Sequence, residues 1–229
     1  MPQLRMKEHP YNGLLITFCG LDGCGKTTLI EQLVAYFCSK GVDPVITKQP
    51  TKVIRQSVSF RKLIDCPNQE AYCHQSVALM AAGDRIQHVH EVIEPALKNG
   101  KVVISDRYFY SCLAHLKAGG FEKDNWIYEV SESILKPDVP FFVDVPLDTA
   151  ISRVRQRERE KDRYIDMDFQ QRVHREYHII ARQENAFVLH SDWPLESTVE
   201  EMIRVVEQKS IAKGGVCGEF LHSGKFGIV

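Results

Sequence analysis

The stretch "LLITFCGLDGCGKTTLIEQL", residues 14–33, decides the fold. Leu14 to Cys19 is a short apolar run with the length and composition of a buried strand. The run breaks at Gly20, passes through a loop of small residues and resumes as a helix from Thr27 to Ser39. That helix carries Leu29, Leu33, Val34 and Phe37 on one face and is closed by Gly41. Gly20-x-x-x-x-Gly25-Lys26-Thr27 has the spacing of a phosphate-binding P-loop, in the strand-to-helix context that the motif requires. Glycines admit the backbone conformations that turn amide N–H groups inward around an anion. The helix start near Lys26 adds its positive end. Lys26 would neutralise the β/γ-phosphates, and Thr27 would offer its hydroxyl to Mg²⁺. Cys24, inside the loop, reads either as a small filler or as a thiol activated by the helix N-terminus.

Outward from this loop the chain alternates strand and helix. Further strands are expected at Pro44 to Thr47, Lys101 to Ser105, Pro140 to Val145 and Ala186 to His190. Helices are expected over Gln69 to Lys98 (with a break near Gly83), Phe121 to Leu135, Leu147 to about Glu160, Asp168 to Glu184 and Ser197 to Lys209. Five short apolar strands, each followed by helix, imply a parallel sheet covered on both faces, an α/β fold of the P-loop NTPase kind.

The composition fits this reading. The chain has 229 residues, 44% hydrophobic and 26% charged, enough for one large domain with its own core. The net charge of -1 argues against a protein-wide basic field for nucleic acid. Seven scattered cysteines, with no C-x-x-C, suit a reducing, cytoplasmic compartment. No apolar run approaches the ~18 residues of a membrane span. Residues 1–13 are expected to be a disordered lead, 14–213 a single P-loop domain and 214–229 a flexible tail.

A P-loop alone leaves a switch GTPase, a motor ATPase and a small-molecule kinase open. No N-K-x-D quartet for guanine occurs. Instead the third strand ends in Ser105-Asp106-Arg107-Tyr108. An aspartate at that edge can hold Mg²⁺ through water, and the arginine can grip an acceptor phosphate bidentately. The motifs then run FCGLDGCGKTT, Thr47-Lys48-Gln49-Pro50, AAGDRIQH, PALKNG, DRYFYSCLAH and a strand carrying D-V-P, followed by an arginine-rich segment.

This order resembles the thymidylate kinase family of P-loop nucleoside monophosphate kinases, over roughly residues 14 to 203. The resemblance implies a five-stranded parallel sheet with an Arg-rich lid (about 153–167). It implies ATP with Mg²⁺ as donor, transfer to a nucleoside 5′-monophosphate (dTMP to dTDP), and a homodimer. It places ATP on Gly20, Asp22, Gly23, Cys24, Gly25, Lys26, Thr27, Thr28 and Arg153, and the metal on Thr27 and Asp106. Asp22 would meet the acceptor's sugar 3′-hydroxyl, Arg107 its phosphate, and Arg85 its base or phosphate. Lys48, Ala81, Cys112 and His115 would complete the acceptor site.

The lid segment "ISRVRQREREKDRY" puts arginines at 153, 155, 157, 159 and 163. It reads either as a solvated, salt-bridged helix or as the source of guanidinium groups that close over the phosphates. Where some thymidylate kinases carry a catalytic arginine inside the P-loop, this chain has Gly23, so the arginine must come from the lid. Arg157 and Arg159 are the candidates, with Arg153 packing on adenine. The acceptor pocket departs from the family pattern. Ala81 replaces a stacking aromatic, Cys112 a polar base-edge reader, His115 a tyrosine, Leu116 a glutamine, Lys48 an arginine and Gln49 a glutamate. Tyr72, Tyr108, Phe109 or Tyr110 could supply a replacement ring. The alternatives to dTMP are a purine or modified-pyrimidine monophosphate, or a non-catalytic nucleotide sensor.

Overall fold

The computed structural model describes residues 3–65, 73–121, 123, 125–158 and 160–213. The sheet has five parallel strands, β1 (Leu14–Cys19), β2 (Val45–Lys48), β3 (Val102–Asp106), β4 (Val139–Asp144) and β5 (Phe187–His190), in the order β2-β3-β1-β4-β5. Every residue of β1 is buried, as a central parallel strand covered on both faces requires. α1 (Lys26–Ser39) leaves the P-loop and packs on β1, β3 and α10 (Leu195–Ala212). α4 (His74–His88), α6 (Phe109–Ala118) and α9 (Met167–Gln183) pack on one another as a second group. The chain order places β1 between β3 and β4, so connections diverge to either side at its C-terminal end, where α/β sheets bind their ligands.

Several expected elements differ. Two short helices, α2 (Lys52–Arg55) and α3 (Val58–Asp65), stand where none was expected. Residues 69–72 of the expected long helix lie outside the described residues. α4 runs straight through Gly83, where an added Cβ would meet nothing within 4 Å. The irregularity lies later, as a π-helical turn at Val89–Ile93 followed by α5 (Glu94–Lys98). Pro95 has no N–H to give to the preceding turn and its ring crowds that turn's carbonyl, so the distortion gathers just ahead of it. The expected helix over 121–135 shrinks to α7 (Trp126–Val130) and a 3₁₀ turn. Ser131 there donates its hydroxyl to the Tyr128 carbonyl and accepts the Arg5 N–H, diverting the chain from helix.

The lead is not loose where it is described. Met6 is buried, and Lys7 forms a bridge with Leu135, its N–H reaching Ile134 O at 2.8 Å. His9 meets Asp138 at 3.1 Å. Leu4 and Met6 give these residues an apolar side to bury, which a polar average over the segment conceals. The expected tail, 214–229, lies outside the described residues.

Candidate active site

The P-loop is held open by geometry only glycine supplies cheaply. Gly20, Gly23 and Gly25 have φ of 144°, 84° and 92°. A Cβ on Gly23 would stand 2.1 Å from the Ala150 carbonyl oxygen in α8 (Leu147–Arg155), so neither an arginine nor any other side chain fits there. The Lys26 ammonium is buried and donates to the carbonyls of Leu21 (2.7 Å) and Gly20 (3.2 Å). Cys24 is 1% exposed, which suits the filler reading. The first turn of α1 has no side-chain cap, leaving its N–H groups for an anion.

Two cavities meet at this loop. The first, about 350 Å³, is lined by Gly23, Gly25, Lys26, Thr27 and Thr28, and by Arg153, Ser191 and Trp193. Arg153 donates to Ser191 Oγ at 2.9 Å and to its carbonyl at 3.1 Å. The second, about 850 Å³, is bounded by Gln49, Ala81, Arg85, Ser111, Cys112 and His115. Asp22, Lys48, Arg107 and Arg157 line both. Among its described lining residues the second cavity carries eight Lys or Arg against three Asp or Glu, the electrostatics of a polyanion site.

Arg107 stands at the junction. Its φ of 69° is unusual for a non-glycine residue and turns the chain sharply after β3. Its guanidinium pairs with the Asp22 carboxylate and donates to Tyr177 Oη at 3.1 Å, and Tyr177 in turn donates to Ser111 at 3.0 Å. Arg163 reaches the other Asp22 oxygen at 3.2 Å. Burial pushes the Asp22 carboxyl up, but Arg107, Lys26 and Arg163 outweigh it and hold the group well below the usual carboxylate range. Arg85 is 2% exposed, donates to the Ala81 carbonyl at 2.8 Å, and has no partner for its Nε.

Asp106 pairs one oxygen with Lys48 at 2.6 Å, while its Oδ1 is buried without a partner. Such an orphaned carboxylate oxygen, beside Thr27 in the same cavity, fits a hard cation with oxygen ligands.

The lid differs from its expected form. α8 stops at Arg155, not near Glu160. Arg155 donates to the carbonyls of Lys161 (2.6 Å) and Arg163 (2.7 Å), folding the segment back into a loop. Beyond Val154 the run offers no apolar face to bury, so a helix there has nothing to pack with. Arg157 reaches both cavities, whereas Arg153 borders only the first and Arg163 only the second. Arg159 lies outside the described residues.

The three replacement rings that lie among the described residues are not in the pocket. Tyr108, Phe109 and Tyr110 are core residues at 0–1% exposure, and Tyr72 lies outside the described residues. Among the described residues, Phe60, Tyr164 and Phe169 bring phenyl or phenol rings to the second cavity. Sequence reasoning passed over these, and over Arg163, Tyr177, Ser191 and Trp193, because only the folded chain brings them to the P-loop. For Arg163 alone a signal existed, its place in the arginine run.

Comparison with known proteins agrees with the motif order and the geometry. Residues 18–203 match the family model described as thymidylate kinase. A probable thymidylate kinase of Thermococcus gammatolerans is 32% identical over 209 residues, covering 87% of this chain and 99% of the relative. Thymidylate kinases of Fervidobacterium nodosum and Lactobacillus acidophilus are each 29% identical, covering 84% and 86% of this chain and 98% and 95% of theirs. The chain therefore belongs to the thymidylate kinase family of P-loop nucleoside monophosphate kinases.

Proposed function

We propose that the chain transfers the γ-phosphoryl group of ATP to the 5′-phosphate of dTMP, giving dTDP and ADP. The observation that carries this reading is the common wall of the two cavities, formed by Asp22, Lys48, Arg107 and Arg157. A donor seated on the P-loop and an acceptor in the larger cavity would face each other across it, and such placement supplies much of the acceleration in phosphoryl transfer.

Lys26 and the α1 N-terminus take the donor phosphates, with Arg153 and Trp193 beside the nucleoside end. Thr27 and Asp106 would hold Mg²⁺, which supplies charge neutralisation to the donor phosphates. Arg107 takes the acceptor phosphate, with Arg85 on the same cavity. Arg157 contributes its guanidinium where charge spreads over the moving group. Asp22, the carboxylate between Arg107 and Arg163, is the group for the acceptor's sugar 3′-hydroxyl. Phe60 or Phe169 supplies apolar cover for the base in place of a ring at Ala81. No covalent enzyme intermediate is required. The catalytic unit is one domain, 14–213, whose lid (153–167) closes over the phosphates and excludes water.

A homodimer is part of the reading. Val53, Val58, Leu79 and Met80 are exposed on the adjoining helices α2, α3 and α4, an apolar surface that a second copy would cover. Free thiols at Cys19, Cys24, Cys38, Cys73 and Cys112 favour the cytoplasm. Nucleic acid has no place in the reaction.

The test is ADP formation with a panel of dTMP, dUMP, UMP, dCMP and dGMP, for wild type, Lys26→Ala and Arg107→Ala. Preference for dTMP, lost in both variants, supports the reading. Preference for a purine would reassign the acceptor, and ATP binding without transfer to any acceptor would make the chain a nucleotide sensor.

A further inference from the structure

A second polar cluster, whose charged and imidazole groups line neither cavity, stands where β4 and β5 end against α9. Asp144, the last residue of β4, directs Oδ1 at His174 Nε2 (2.7 Å) and at His178 Nε2 (3.3 Å). These two nitrogens are themselves 3.3 Å apart. His174 and His178 lie one turn apart on α9 and so share a face. His190, the last residue of β5, pairs in register with Asp144 and brings Nδ1 to 3.9 Å from Oδ2, its ring stacked on Trp193 at 4.8 Å between centroids.

Hydrogen bonding to Asp144 explains one imidazole well and both poorly. Two N–H groups aimed at one oxygen would also face each other across 3.3 Å, an unfavourable contact. A cation at the centre of the three atoms makes the same arrangement attractive. Donors bound 2.0–2.1 Å from a tetrahedral zinc-class ion stand about 3.3 Å from one another. The three separations here are 2.7, 3.3 and 3.3 Å.

The geometry points to a transition-metal site in which Asp144 Oδ1, His174 Nε2 and His178 Nε2 form a preset three-donor face for a zinc-class divalent ion, the fourth position left to solvent. Two imidazoles select zinc, nickel, cobalt or copper over magnesium, which prefers the all-oxygen surroundings of Asp106 and Thr27. The bound ion would tie β4 to α9. Tyr177, which holds Arg107, sits on α9 between the two histidines, so the ion would also stiffen the support of the acceptor-phosphate arginine.

The test uses the full chain stripped with a chelator and then titrated with Zn²⁺ in a large excess of Mg²⁺, followed by calorimetry and thermal unfolding. The expected result is one Zn²⁺ per chain and a raised Tm. His174→Asn, His178→Asn and Asp144→Asn are each expected to weaken binding by about tenfold or more. Co²⁺ in place of Zn²⁺ should show nitrogen and oxygen ligation without thiolate charge transfer, which separates this site from the exposed Cys38 and Cys73. Absent binding in excess Mg²⁺, a thiolate spectrum, or undiminished affinity in the folded variants would overturn the assignment. If a variant does not fold, the wild-type Co²⁺ spectrum decides alone.

Discussion

His115 should make the stability of this protein fall with acid in a defined window. Its Nδ1 lies 2.7 Å from the Ser111 carbonyl, which can only accept, so the neutral ring carries its proton there. The rings of Phe169 and Tyr177 flank it at 6.1 and 6.3 Å. Burial first, and then the Arg107 guanidinium, disfavour the imidazolium and bring the pKa to about 4. An unfolded histidine titrates near 6.5. Between those values the unfolded chain takes up a proton that the folded chain refuses, so stability declines as pH falls from about 6.5 to about 4 and then levels. A shift of about 2.5 units at about 1.4 kcal/mol per unit sets the loss at roughly 3 kcal/mol. His74 and His88 are also lowered by burial and add losses of the same sign, so the wild-type curve alone is not diagnostic. The comparison is with His115→Gln, which can still donate to Ser111 but does not titrate. Urea unfolding of both proteins from pH 7.5 to 4 should show wild type losing about 3 kcal/mol more than the variant. Parallel curves would refute the half-buried neutral imidazole.

Three further outcomes are expected. Gly23→Ala combines a positive φ of 84° with a Cβ 2.1 Å from the Ala150 oxygen and should cost about 2–4 kcal/mol in thermal unfolding. Gly83→Ala, with open space around it, should instead gain up to about 1 kcal/mol. Gln49 is fully buried with both amide atoms unpartnered on the acceptor cavity, so Gln49→Leu should raise the Tm of the free protein while lowering acceptor kcat/KM about tenfold; a variant altered in neither would remove Gln49 from acceptor recognition. Arg157→Ala should lower kcat by about 100-fold or more, whereas Arg153→Ala should chiefly raise the KM for ATP; an unimpaired Arg157→Ala enzyme would move the catalytic guanidinium elsewhere in the lid.

The parts legible in the sequence are those written locally. A six-residue apolar strand, a glycine loop and a helix start are encoded in consecutive residues, and the phosphate cradle follows from them. The Asp106-Arg107 pair was readable for the same reason, because strand ends converge on one edge of a parallel sheet. Helix limits were less legible where a single side chain diverts the backbone, as Ser131 does, or where a proline places a distortion about two turns beyond the glycine that suggested it. The aromatic lining of the second cavity was illegible. Phe60 comes from α3 while Tyr164 and Phe169 flank the start of α9, and no spacing rule links them to Ala81. Tyr108, Phe109 and Tyr110 lie next to the site in sequence, yet the core claims them.

The arrangement around Asp22 suggests how the cleft exchanges partners. A chain of net charge -1 gathers eight cationic side chains around one cavity and answers them, among its described lining residues, with three acids. Asp22 serves two of those cations, Arg107 and Arg163, and keeps both oriented when no phosphate is bound. A nucleotide's 5′-phosphate carries more charge than one carboxylate and offers three oxygens, so it competes well for Arg107 without displacing Asp22 from Arg163. The carboxylate then has an oxygen to spare for a sugar hydroxyl. On this view the acidic residue of the P-loop first stores the arginine and then reads the acceptor. Its place between Arg107 and Arg163 would allow both.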